Sequence, residues 1–266
     1  MVFVGTSGYQ FDDWIGTAYP DAIPRSKMIR YYSSVWQFNA VELNFTYYRM
    51  PTQKTIIGML NKVATDPVVF SVKAYGDVTH KHWRMNNMEG LKTDSDEFIN
   101  AVSPMKDASR LAAVLFQFPS SFRPSEDSNR YLEKLAGLYA SADVPLAIEF
   151  RHRDWNCEET HELLSSMDMV PVVVDEPQIG LLFPYVTASS RRYAYFRFHG
   201  RNRNWFNSEG GERYNYDYSR DELREFAADV LEFSERGLQV YVFFNNCYMG
   251  RAVHNALSFR QMLGGE

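Results

Sequence analysis

Eight short apolar runs recur along the chain: "VFVG" (2–5), "NAVELN" (39–44), "VVFSVKA" (68–74), "LAAVLFQF" (111–118), "PLAIEF" (145–150), "VPVVVD" (170–175), "YAYFRFH" (193–199) and "LQVYVFF" (238–244). They are rich in Val, Ile, Phe and Tyr, and turn residues flank most of them, as in strands. Several are apolar on both faces, as strands of a covered parallel sheet are. Helical patterns lie between them, over 26–37, 53–63, 94–103, 126–140, 157–167, 219–236 and 250–263. Ser125 precedes an acidic first turn, and Ser219 has Glu222 three residues on and Gly237 at the stop, which marks helix ends. The stretch 176–192, "EPQIGLLFPYVTASSRR", is a poor helix and predicts an irregular sixth unit. Strand then helix, repeated about eight times in 266 residues, is the count of an α/β chain folded as a (β/α)8 barrel of the TIM type. A doubly wound open sheet is the alternative. No Gly/Ser linker, low-complexity segment or repeat divides the sequence, so one domain over 1–266 is expected.

The net charge of −5 makes the whole molecule no polycation, so any affinity for nucleic acid has to come from a local basic patch. Cys157 and Cys247 form no CxxC and are too few for a disulfide framework, which fits a reducing cytoplasm. The start, "MVFVGTSGYQ", does not read as a secretion signal, and no apolar run approaches a membrane span.

Strand side chains alternate between faces, and in a barrel one face looks into the lumen. In "YAYFRFHG", Tyr193, Tyr195, Arg197 and His199 share a face too polar for the helix layer, so they point inward. The same test selects Glu42 and Asn44 on the second run, Lys73 on the third and Gln117 on the fourth. Glu149 and Arg151 follow on the fifth, Asp175 on the sixth and Asn245 on the eighth. Nearly all lie at the carboxyl ends of their strands, where barrel enzymes carry their sites. Glu42, Glu149 and Asp175 balance Lys73, Arg151 and Arg197. Two readings follow: a neutral ion-pair network that fills the upper barrel, or a network that preorganises groups for a ligand.

The loops after the odd-numbered runs carry Trp14, Trp83, Trp155 and Trp205 beside basic residues, in "THKHWR" (79–84), "RHRDW" (151–155) and "HGRNRNW" (199–205). Such a mouth suits an anionic ligand with flat rings or sugar faces, and the alternative is that the aromatics only cap the core. Tyr214, Tyr216 and Tyr218 alternate in "RYNYDYS", which places them on one side of an extended segment.

No GxGxxG, P-loop or G-x-S-x-G elbow is present; "GTSG" (5–8) is at most a weak anion cradle. Cations beside the carboxylates disfavour a multi-metal centre, even with His80 and His82 near His199, so neither metal nor cofactor is expected. The strands that carry the acids of the commonest barrel glycosidases end here in Gln117 and His199, so that match fails.

"GTSG" (5–8), "VELNFTYYRMP" (41–51), "VTH" (78–80), "LFQFPSSF" (115–122) and "IEFRHRDW" (148–155) run along the chain in order. "DEP" (175–177), "RFHGR" (197–201), "YNYDYS" (214–219), "FNN" (244–246) and "HNA" (254–256) complete the set. With these motifs the sequence resembles the domain-of-unknown-function 72 family, also called YecE-like. Tyr9, where that family often has Trp, and the Trp-free helix after Pro51 are departures. The resemblance implies a TIM-type barrel similar to those of endonuclease IV and xylose isomerase, whose metal ligands are not matched. The expectation is a site for a phosphate-bearing ligand, nucleic acid ahead of a nucleotide or sugar phosphate. Lys73, Arg151, Arg197 and Arg201 would hold phosphate, with Asn44, Gln117, Asn245, His80 and the four loop tryptophans around it. Glu42, Glu149 and Asp175 would orient them, and His199 is the natural acid or base near neutrality. A metal-independent small-molecule enzyme (a lyase, isomerase or glycoside-type enzyme) and a non-catalytic adaptor are the alternatives.

Overall fold

The computed structural model describes residues 1–140 and 142–264. Eight parallel strands form a nearly closed barrel: β1 (Val2–Thr6), β2 (Ala40–Leu43), β3 (Val69–Lys73), β4 (Leu111–Gln117), β5 (Leu146–Glu149), β6 (Val170–Asp175), β7 (Tyr193–Phe198) and β8 (Gln239–Phe244). The helices are α1 (Arg25–Ser34), α2 (Phe45–Tyr48), α3 (Gln53–Lys62), α4 (Gly76–His80), α5 (Met88–Asp107), α6 (Glu126–Ala140), α7 (Glu158–Ser166), α8 (Arg220–Glu235) and α9 (Arg251–Leu263). Among the described residues no helix joins β6 to β7, as the poor helical pattern of 176–192 predicts. Among the described residues no helix is long and apolar enough to cross a membrane. Ser219 and Glu222 form the reciprocal cap expected at the start of α8. The helix expected over 94–103 begins earlier, where the Asn87 side chain accepts from the Gly90 N–H, and runs on through Pro104 to Asp107.

The seam between β1 and β2 is closed largely by side chains. The Thr6 N–H donates to the Tyr32 hydroxyl at 2.8 Å, and that hydroxyl donates to the Ala40 carbonyl at 2.8 Å. The Asn39 side-chain oxygen accepts from the Val4 N–H at 2.8 Å. At the top, Ser7 pairs with Glu42, and the Gly8 N–H donates to the Glu42 carbonyl at 2.8 Å. Backbone approaches so closely here that a Cβ on Gly5 would lie 1.9 Å from the Ala40 oxygen. "GTSG" is thus a seam motif. The Thr6, Ser7 and Gly8 N–H groups all have protein acceptors, so it is no anion cradle.

Two apolar regions result. The larger lies between strands and helices. The smaller fills the lower lumen, where Ala40, Ala112, Ala113 and Ala147 leave room for Tyr195, Tyr241 and Phe243. Above this layer the lumen turns polar, at the carboxyl ends of the strands.

Candidate functional site

Arg197 is the centre of the polar layer. Its alternation on β7 points it inward, above Tyr195 in the lumen cluster. Its Nε and Nη2 donate to the two Glu42 carboxylate oxygens at 3.0 and 2.7 Å, and Nη1 donates to Glu149. Nη2 also reaches Ser7 Oγ at 3.0 Å. Glu42 accepts further from Ser7 and, at 2.7 Å, from the Tyr195 hydroxyl. Arg197, Glu42 and Glu149 are all buried, so each charge depends on these partners. Burial opposes the charge on both Arg197 and Glu149. Their attraction prevails: the Arg197 pKa is driven up, and Arg197, Arg151 and His199 hold Glu149 well below the carboxylate range.

Glu149 Oε1 is shared. It accepts from Gln117 Nε2 at 2.6 Å, lies 3.0 Å from Arg151 Nε, and is 3.1 Å from His199 Nε2. His199 Nδ1 faces the Asn245 amide nitrogen at 2.7 Å. Asn245 therefore donates to Nδ1, and Nε2 carries the proton toward Glu149. Burial, then the Arg151 charge, lowers the His199 pKa to about 3. It is neutral and fully enclosed at pH 7. In that state it hydrogen-bonds Glu149 and does not titrate near neutrality, where the sequence reading expected an acid or base.

Lys73, at the end of β3, hydrogen-bonds Gln117 Oε1 at 2.6 Å and sits 4.6 Å from the centre of the Tyr47 ring. It is half-buried and has no carboxylate partner among the described residues. Burial, then repulsion from Arg197, lowers its pKa to about 8.

Asp175 does not join this group. Val172 and Val174 line the lumen and Val173 packs outward, so Asp175 shares the outer face. There it accepts from the Tyr218 hydroxyl at 2.6 Å and from Arg201 Nε at 2.8 Å. Burial raises its pKa, and those two bonds offset part of the rise. The lumen carboxylate after β6 is the next residue, Glu176, which pairs with Arg151 and accepts from the Phe183 N–H at 3.2 Å. Burial lifts Glu176 to about 7 against the pull of Arg151. Arg201 is compensated by Asp175 and, at 3.1 Å, by Glu222, so it is not the open phosphate ligand expected.

A cleft of about 260 Å3 opens above the network, lined by His80, Gln117, Arg151, Trp205, Phe206, Arg213 and Tyr214 among others. Burial, then Lys73, lowers the His80 pKa to about 4. Asn44 precedes α2, and its side-chain oxygen is buried with no hydrogen-bond partner among the described residues. The tryptophans separate by depth. Trp14 (0% exposed) and Trp155 (1%) lie in the outer core and donate to the carbonyls of Cys247 and Phe122. Trp83 leans on Phe122. Only Trp205 reaches the cleft, edge-on to Tyr214 and with Arg151 over its face. The three tyrosines of 214–218 also part company: Tyr214 lines the cleft, Tyr216 donates to Glu222, and Tyr218 holds Asp175.

Sequence reasoning missed Glu176 as a lumen residue, and gave no cleft position to Arg213 or Tyr214. Strand parity could have found the first only with a polar marker on β6; the last two lie in a loop that folds back over the mouth. His82 turns away to Asp94 at 2.7 Å, and with Asp77 these form an acidic cluster outside the lumen.

The UPF0759 protein YunF of Bacillus subtilis (strain 168) is 29% identical over 278 residues, covering 100% of this chain and 96% of that protein. A DUF72 family protein from Thermotoga maritima MSB8 is 46% identical, with TM-score 0.92 and 99% of each chain covered. D-psicose 3-epimerase from Clostridium cellulolyticum H10, solved with D-tagatose, is 9% identical with TM-score 0.53, covering 91% of this chain and 93% of that one. This last likeness is one of fold alone. The family described as "Protein of unknown function DUF72" matches residues 3–266, and the chain belongs to it.

Proposed function

We propose that the barrel mouth binds, and processes without a metal, a small anionic hydroxylated ligand of the sugar-phosphate class. The observation that carries this reading is an imbalance of charge partners. Arg197 and Arg151 are matched by carboxylates, whereas Lys73, bonded to the cleft residue Gln117, and Arg213, in the cleft lining, have none among the described residues. An anion in the cleft supplies the missing partner. Trp205, Phe206 and Tyr214 offer flat walls to a sugar face. The Glu42 and Glu149 oxygens are already engaged by donors, which leaves them poor metal ligands.

Glu42, Glu149, His199 and Asn245 hold the floor in place. Gln117, Arg151, Arg213, His80 and Trp205 face the ligand, with Lys73 beside Gln117. Lys73 and Glu176, at about 8 and about 7, are the groups able to exchange protons near neutrality. Nucleic acid fits less well, because a strand needs open stacking faces and free cations. Trp14 and Trp155 are buried, and Arg201 is neutralised.

Calorimetric titration with ribose 5-phosphate, and separately with a short single-stranded oligonucleotide, tests the reading. The sugar phosphate is expected to bind saturably and to weaken about tenfold in Arg213→Ala, the loss of one charge-assisted hydrogen bond. No sugar-phosphate binding, with oligonucleotide binding that falls steeply with salt, overturns it.

A further inference from the structure

We propose that Lys73 is an imine-forming amine, whose Nζ condenses with the carbonyl carbon of an aldehyde or ketone held in the cleft. The inference rests on the reading of the mouth as a small-molecule site, and it narrows the ligand to a carbonyl-bearing anion such as an aldose or ketose phosphate.

Of the chain's lysines, Lys27, Lys54, Lys62, Lys81, Lys92, Lys106 and Lys134 are exposed, and Lys73 alone is half-buried. It also differs in its partners. Lys81 and Lys92 each hold an aspartate one helical turn away. Lys73 holds only the neutral Gln117 oxygen at 2.6 Å and the face of Tyr47 at 4.6 Å. Gln117 is itself fixed, because its amide donates to the buried Glu149 at 2.6 Å. The amine is therefore placed by a rigid strand end and a rigid neighbour. Gln117, which holds the amine, and His80, whose ring packs 5.2 Å from that of Tyr47, both line the cleft.

An amine in this setting is activated by desolvation and by a nearby cation. Both act here, and the Lys73 pKa falls to about 8. At pH 7 about one-tenth of Lys73 is then free amine, hundreds of times more than for an exposed lysine. Tyr47 works in the opposite direction, since its ring favours the ammonium.

The step balances. The nitrogen lone pair adds to the carbonyl carbon, and the C=O π pair moves to oxygen, which takes a proton. The nitrogen then loses its hydrogens as the oxygen departs as water, leaving C=N. One amine and one carbonyl give one imine and one water, with no oxidant or reductant. The protonated imine withdraws electrons from the adjacent carbon, the requirement for breaking or forming a C–C or C–H bond there. Retro-aldol cleavage or aldose–ketose exchange is the class of reaction that follows.

Pyridoxal 5′-phosphate, which carries both an aldehyde and a phosphate, is a direct probe. The intact protein is treated with substoichiometric probe at pH 7, reduced with borohydride and mapped by peptide mass. Lys73 is expected to carry at least about tenfold more adduct than the mean exposed lysine, with labelling that rises through a midpoint near 8. Dihydroxyacetone phosphate is expected to compete, and Lys73→Met to remove the selective label. Adduct spread evenly over the lysines, or absent from Lys73, overturns the proposal. Quenching of Trp205 by the same probe, read as the signal lost in Trp205→Phe, separates the two levels. Quenching without a Lys73 adduct leaves the cleft reading standing and sinks the imine; neither quenching nor adduct sinks both.

Discussion

Replacing Arg197 with methionine removes the one cation among the described residues that touches both Glu42 and Glu149. Methionine keeps most of the apolar stem and deletes the guanidinium. Glu42 is left with Ser7 and the Tyr195 hydroxyl, and Glu149 with Gln117, Arg151 and His199. Removing one partner of a buried ion pair costs about 3–5 kcal/mol, because the other charge stays buried. For a chain of this size that is a fall of about 10 °C in Tm. The pH dependence gives a sharper test. In the native protein the Glu149 pKa is depressed, so its contribution is present at neutral pH and is lost as pH falls through the carboxylate range. In Arg197→Met one stranded carboxylate titrates above its unfolded value, so the variant gains stability as pH falls through that raised pKa. The deficit should therefore narrow by up to about 1.4 kcal/mol per pH unit between pH 7 and pH 5. Urea denaturation at several pH values measures it. A deficit below about 1 kcal/mol, or one that does not change with pH, refutes the account of a buried network held by charge.

Arg201→Ala tests the second cluster. Its side chain is 34% exposed, and Asp175 keeps the Tyr218 hydroxyl, so the loss should be about 1–2 kcal/mol, with sugar-phosphate binding unchanged. A variant of native stability that loses ligand affinity contradicts this assignment. Gly5→Ala drives a methyl into the Ala40 carbonyl and should prevent soluble folding or cost more than about 3 kcal/mol by denaturation; a native-like melt sinks the seam argument. His199, held near 3 when folded against 6.5 as the ordinary value, binds a proton more readily unfolded between those limits. Stability should fall as pH drops from 6.5 toward 3, by up to about 1.4 kcal/mol per unit, and His199→Gln should flatten that slope in acid titration.

Parity was readable where a polar residue marked the inward face. Tyr193, Tyr195, Arg197 and His199 on β7 left no choice, since an arginine cannot face the helix layer cheaply. On β6, "VPVVVDEP" offers no such mark. Both faces are apolar from Val170 to Val174, and an error of one register exchanges Asp175 for Glu176. Depth was not readable either. Trp14 and Trp155 follow strand ends as Trp205 does, yet the short turns Asp12–Trp14 and Arg153–Trp155 tuck their rings into the outer core. Position after a strand says which end of the barrel a ring occupies, not whether backbone above it covers it. Arg213 and Tyr214 reach the mouth through a return of the chain that local pattern does not encode.

The most direct test of the cleft is a crystal of the protein soaked with ribose 5-phosphate. The account predicts the phosphate against Lys73 or Arg213 and the sugar against Trp205, with Glu42, Arg197 and Glu149 unmoved beneath. Sugar phosphate found only on the outer surface, with the mouth closed by its own side chains, would contradict it.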